Sequence, residues 1–114
     1  SVWEAALSAA ELGLDNLILV VDCNGHQNDG PVSDQMTAEA MAKKWSGFGW
    51  AVTECDGQSI EELMTELGEV ETGKPKALIA RTIKGRGVSF MENNNDWHHG
   101  RLTKNLYEQA VKNL

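Results

Sequence analysis

The feature that most constrains this chain is the apolar run Leu17-Ile18-Leu19-Val20-Val21, which breaks abruptly into Asp22-Cys23-Asn24-Gly25-His26-Gln27-Asn28-Asp29-Gly30. Neither alternate set of the run is polar, so it reads as a strand buried on both faces, ended by amide, carboxylate and glycine. Further strands are expected at 50–55 and 76–82. Helical stretches separate them. Residues 2–13 are rich in Ala and Leu, with Gly13 placed as a C-cap. A second helix is expected at 37–46, with Thr37 as cap, Glu39 in its first turn and Gly47-Phe48-Gly49 closing it. A third begins at Ser59, where Ser59-Ile60-Glu61-Glu62 spells a capping box. Its apolar face is Leu63, Leu67 and Val70, and Gly73-Lys74-Pro75 ends it. Residues 102–114 read as a closing helix.

The order αβαβαβα implies parallel strands joined by crossovers, hence an α/β fold in three αβα layers around a parallel sheet. We expect a single domain over residues 1–114, without internal repeats or linkers. In such a sheet every strand has its carboxyl end on one edge, where ligands bind. The polar loops at 24–30, 56–58 and 84–100 therefore share that edge.

Length and charge limit what can bind there. A chain of 114 residues is one domain at most, and short for a doubly wound sheet that works alone. A net charge of −7 argues against nucleic-acid backbones, which call for a basic surface. It does not exclude one small anion held through a metal ion or helix N-termini. No apolar run is long enough to span a bilayer, and no signal peptide is recognisable, so no membrane partner is expected. Cys23 and Cys55 have no CxxC partner and read as buried free thiols in a reducing compartment, the cytoplasm by default. Ser1 runs straight into a helix without an initiator methionine, which reads as a fragment, a split-gene product or a processed chain.

Individual residues point several ways. Magnesium prefers an oxygen octahedron completed by phosphates and water, and the Asn24 amide oxygen plus a neighbouring backbone carbonyl suits it. Taken alone, however, a loop of Asn, Asp and Gly is what turns are made of. Gly25 and Gly30 let that loop turn and approach a ligand closely. In the third loop, His99 can transfer protons near neutral pH, while paired histidines also occur in plain surface loops. Gly85 and Gly87 there call for tight turns or close backbone packing. Glu4, in the first turn of a helix, is explained either by solvent and the helix dipole or by a shared proton with a partner.

The order and spacing of these signals are more telling. Val2-Trp3-Glu4-Ala5-Ala6, Val21-Asp22-Cys23-Asn24-Gly25, Asp29-Gly30-Pro31, Phe48-Gly49-Trp50, Asp56-Gly57, Lys74-Pro75, the stretch Thr82-Ile83-Lys84-Gly85-Arg86-Gly87-Val88-Ser89-Phe90-Met91-Glu92 and Trp97-His98-His99-Gly100 together resemble the transketolase family over nearly the whole chain. The resemblance is greatest to its amino-terminal subunit type, in enzymes split between two polypeptides.

That resemblance implies the later, carboxyl-terminal part of the domain that holds the diphosphate of thiamine diphosphate, a partial thiamine diphosphate-binding fold. Asn24 matches the Asn that closes the family's metal motif, and His26 the position whose backbone carbonyl completes the metal shell, with Mg2+ or Ca2+ as the ion. Gly25 keeps the turn between them, and Lys84 is assigned with these three to cofactor binding. The opening Gly-Asp-Gly of the motif would lie before Ser1, so the chain carries half of a metal site. His99 matches the histidine that faces substrate and the cofactor's reactive carbon, with His98 beside it. Glu4 matches a carboxylate at the dimer interface that links two cofactor sites. The activity implied is transfer of a two-carbon ketol unit between sugar phosphates. The implied partner is a second subunit or domain with the pyrimidine-binding half, in a dimer of complete chains or a heterotetramer.

Three other readings compete. One is another thiamine diphosphate enzyme, either decarboxylating 2-oxo acids or resembling deoxyxylulose-phosphate synthase. A second is a non-catalytic fragment that only binds a partner. A third is a Rossmann-type nucleotide binder, disfavoured because no glycine-rich turn joins the first strand to its helix.

Overall fold

The computed structural model describes residues 1–113. Its main sheet is three-stranded and wholly parallel, built from β1 (Ile18–Cys23), β4 (Ala51–Asp56) and β5 (Lys76–Arg81) in the order β1-β5-β4. β2 (His26–Gln27) and β3 (Gly30–Pro31) form a small antiparallel hairpin within the first polar loop. The helices are α1 (Val2–Glu11), α2 (Ala38–Gly47), α3 (Ile60–Gly68) and α4 (Lys104–Asn113). No described helix is long and apolar enough to cross a membrane.

Strand order decides which strand is buried. β5 takes the centre, and Leu78 and Ile79 are fully enclosed there. One layer lies on the Ala77 and Ile79 face, where α1 and α2 contribute Ala6, Ala9, Ala38, Met41 and Trp45. The other is α3, whose Leu63 packs on Cys55, Leu78 and Ala80. The three-layer arrangement is as expected. The full burial expected of β1 is not: β1 is an edge strand, and Val20 is 48% exposed. Five apolar residues in a row mark a strand but do not say which one ends up central.

Local signals set the helix ends. Gly13 lies just past the α1 cap with φ +61°, a conformation that glycine adopts without strain. Thr37 Oγ1 accepts the Ala40 N–H at 3.3 Å and starts α2. The capping box of α3 forms only in part. Ser59 Oγ accepts the Glu62 N–H at 3.2 Å, but the Glu62 carboxylate turns away to the Asp56 N–H at 2.8 Å, because the Asp56 carbonyl already takes the Ser59 N–H. α3 stops at Gly68 rather than running on toward Pro75. Val70 is therefore off the helix, and it and Leu67 are exposed. α4 is shorter than expected at its start, and Leu114, placed in this helix from the sequence, lies outside the described residues.

A buried cation closes the α3 side. Lys76 is 3% exposed; its Nζ donates to the Glu66 carboxylate at 3.2 Å, to the Glu66 carbonyl and to the Glu69 carbonyl at 2.9 Å. These carbonyls belong to the end of α3, which leaves acceptors without helical partners. Lys76 thus ties the start of β5 to the end of α3.

Candidate functional site

The parallel registers bring the carboxyl ends of β1, β4 and β5 level. Cys23 and Asp56 both stand opposite Arg81. Arg81 Nη2 donates to Glu54 at 2.7 Å and to Glu39 at 2.8 Å, joining β4, β5 and α2 at this edge. The Arg81 hydrogen bond holds the Glu39 carboxyl below the usual range. Hydrogen bonds also link the three polar loops. Gln58 exchanges bonds with the Ile83 backbone, accepting its N–H at 3.1 Å and donating to its carbonyl at 3.3 Å. Asn95 Nδ2 donates to the Asn28 carbonyl at 3.0 Å, tying the third loop to the tip of the β2–β3 hairpin.

The first loop is more ordered than its composition implies. Asn24 Oδ1 accepts the His26 N–H at 2.9 Å, and Asn24 Nδ2 donates to Asp22 Oδ2 at 3.2 Å. His26 Nδ1 lies 3.0 Å from the Asn24 carbonyl, so this ring nitrogen carries the proton and donates. Gly25, between them, has φ +75°, which suits glycine and strains any other residue. Val32 N–H donates to the Gly25 carbonyl at 3.0 Å, which makes Gly25 and Val32 a bonded rung of the hairpin. Bonded and non-bonded rungs alternate in antiparallel pairs, so His26 and Pro31 form a non-bonded rung, and Pro31 has no N–H to give. The N–H and C=O of one strand residue point to the same side. The His26 carbonyl is therefore directed outward, to the side on which its N–H meets Asn24 Oδ1.

Two neutral oxygens thus face one side of a fixed turn. Asn24 Oδ1 keeps a lone pair beyond its bond to His26, and the His26 carbonyl has no partner within the hairpin. This donor set fits a hard dication that expects other ligands from phosphate and water. It is a half-set: among the described residues no group of three or more His, Cys, Asp or Glu could hold a metal. A cleft of about 130 Å³ adjoins it, lined in part by Asp22, Asn24, His26, Met36 and Met41.

The third loop folds around its glycines. Gly85 has φ +72°, and a side chain there would meet the Met91 carbonyl oxygen at 2.6 Å. The Lys84 carbonyl accepts the Asn93 N–H at 2.9 Å, so the loop returns on itself. His98 and His99 are exposed, with ring centroids 4.6 Å apart. Phe90 and Trp97, both in this loop, pack with ring centroids 5.3 Å apart.

Glu4 is not brought to this edge. It is exposed, 3.5 Å from the Ser1 amino group. Its neighbour Trp3 stacks on Phe48, and Trp45 lies 5.2 Å away, both at the end of α2 remote from Thr37. Cys55 is buried as expected, but Cys23 only in part; both thiols are free, and burial raises both pKa values. Gln58 and Asn95 were not foreseen from the sequence. Their partners are 25 and 67 residues away, and no local pattern signals such a tie.

The family model for the transketolase thiamine diphosphate binding domain matches residues 2–114. The chain belongs to the transketolase family. Among its relatives, one subunit of the apulose-4-phosphate transketolase of Actinobacillus succinogenes is 44% identical, with all of this chain matched to 42% of that protein. The subunit of the same name from Phocaeicola vulgatus is 38% identical, over all of this chain and 41% of that protein. Human transketolase is 38% identical, over all of this chain and 18% of its own length. The chain thus spans well under half of these transketolases. The crystal structure of Campylobacter jejuni transketolase superposes with a TM-score of 0.83 at 23% identity, over 96% of this chain and 17% of that one, which shows the shared fold.

Proposed function

We propose that residues 1–114 are the carboxyl-terminal part of a diphosphate-side domain, working within a transketolase that moves a two-carbon ketol unit from a ketose phosphate to an aldose phosphate. The observation that carries this reading is the pair of oxygens, Asn24 Oδ1 and the His26 carbonyl, on one side of the hairpin in a transketolase-family chain. Asn24 and His26 would hold Mg2+, with Ca2+ as a substitute, and the ion would anchor the diphosphate of thiamine diphosphate. The cofactor, when bound, supplies the carbon chemistry of the transfer. Gly25 keeps the turn that presents both oxygens, and Lys84 adds a cation on the same edge for the diphosphate.

His99 is the residue we assign to substrate, donating a hydrogen bond to the ketose oxygen and moving a proton as the donor is cleaved. Glu4 is assigned to the interface that links two cofactor sites. Its exposure beside the Trp3–Phe48 stack leaves it open to a partner. A second subunit or domain supplies the pyrimidine-binding half. Relatives that are themselves named as single subunits of a transketolase support such a partner, and so does the exposed apolar row of Ile60, Met64 and Leu67 on α3. A dimer of complete chains or a heterotetramer then forms the enzyme. The two free thiols fit a reducing, cytoplasmic setting.

The test is an assay of ketol transfer with thiamine diphosphate and Mg2+. The purified chain alone is expected to give no turnover and to bind cofactor weakly; the full assembly is expected to be active with ketose donors. Turnover by the lone chain, or activity of the assembly only with pyruvate, would overturn the reading.

A further inference from the structure

Asn24 is held at both ends by partners that cannot be interchanged. Asp22 is a carboxylate and only accepts, so the amide NH2 must face it; the His26 N–H only donates, so the amide oxygen must face that. A flipped amide would set oxygen against carboxylate and NH2 against N–H. Asp22 is fixed in turn. Its second oxygen, Oδ1, accepts the Thr82 hydroxyl at 2.5 Å. Thr82 follows directly on β5, the buried central strand, and its N–H reaches the Cys23 carbonyl at 3.4 Å. A turn of this kind needs no hydroxyl from 60 residues away to close. Asp22 and Asn24 are two apart at the end of a strand, which turns their side chains to the same side.

We propose that Asp22 and Thr82 are positioning residues that set the Asn24 amide with its oxygen toward the metal. This inference rests on the assignment of Asn24 as a metal ligand. Preset orientation spares the amide a rotation on binding, and the Asp22 charge favours a nearby dication. Outer partners of this sort typically change metal affinity by about 10–100-fold when removed.

The experiment uses the complete enzyme assembly with thiamine diphosphate and Mn2+ as probe, free Mn2+ being counted by electron paramagnetic resonance. Asp22→Ala and Thr82→Val are expected to weaken Mn2+ binding by about 10–100-fold. Thr82→Ser, which keeps the hydroxyl, should bind close to the parent. In an Asn24→Ala background, Thr82→Val should produce no further loss, which general damage to the fold would not reproduce. The metal-free melting temperature of each variant is recorded alongside. If Asp22→Ala does not fold, Thr82→Val and its Ser rescue carry the test, because only one hydroxyl changes. Weakening by Asn24→Ala with none by Thr82→Val or Asp22→Ala overturns the clamp and leaves the metal site standing. Unchanged Mn2+ binding by Asn24→Ala overturns the metal assignment and the clamp with it.

Discussion

Replacing Lys76 with Met tests how the sheet that carries the site is secured. The methionine keeps the apolar stem and removes the ammonium. Glu66 then loses its cation, and the Glu66 and Glu69 carbonyls lose a shared donor inside the protein. Removing one partner of a buried ion pair costs about 3–5 kcal/mol. The Glu66 side chain keeps 23% of its exposure, and water there lowers the expected cost to about 2–4 kcal/mol. Against a total stability of roughly 6–17 kcal/mol for a chain of this length, that is a large share. An unfolding entropy of about 0.24 kcal/mol/K converts it to a fall in Tm of roughly 8–17 °C.

The assay is urea and thermal unfolding of the purified chain, with a double-mutant cycle. Lys76→Met with Glu66→Leu should recover most of the loss, because no uncompensated carboxylate remains. The pH dependence has a definite sign. The Thr53 hydroxyl and the Lys76 ammonium beside Glu66 hold its carboxyl below the usual range. Its stabilising share is therefore present above the ordinary carboxylate pKa and is lost as pH falls through the lowered value. The cost of Lys76→Met should shrink in the same window. A single-mutant cost below about 1 kcal/mol, or a double mutant no better than the single, would refute the reasoning.

Two further changes probe the third loop. His99→Ala in the assembled enzyme should lower kcat by about 10²–10⁴, the span of general acid–base catalysis, while His98→Ala should do much less. The reverse ranking would move the role to His98, whose ring lies 4.6 Å away, and no effect from either would remove it. Gly85→Ala places a Cβ 2.6 Å from the Met91 carbonyl oxygen at φ +72°. Hydrogen exchange across residues 84–93 should speed up while β5 stays protected, at a cost of about 1–3 kcal/mol; unchanged exchange would show that the turn is not fixed by this contact.

Much of the fold was legible because its signals are local. Apolar runs marked three strands, Thr37 and Ser59 marked helix starts, and alternation implied the parallel sheet. What escaped is set by distance. Nothing within residues 17–21 says that β1 lies at an edge, since that depends on where β5, nearly sixty residues later, inserts. The end of α3 was misread because Gly68 acts before the stronger-looking Gly73-Lys74-Pro75. In the candidate site, Asn24 and His26 were singled out by the family resemblance alone, and the structure adds the hydrogen bond that joins them; Gly85 was readable from its packing need. The β2–β3 hairpin was hidden by a composition that also makes plain turns. The ties through Thr82, Gln58 and Asn95 join residues far apart in sequence, and side-chain geometry alone reveals them.

The measurement that bears most directly on this account is a crystal structure of the full assembly with thiamine diphosphate and Mg2+. The ion is expected about 2.0–2.1 Å from both Asn24 Oδ1 and the His26 carbonyl oxygen, with diphosphate oxygens among its other ligands. An ion coordinated elsewhere, or an Asn24 amide turned with its NH2 toward the cofactor, would contradict it.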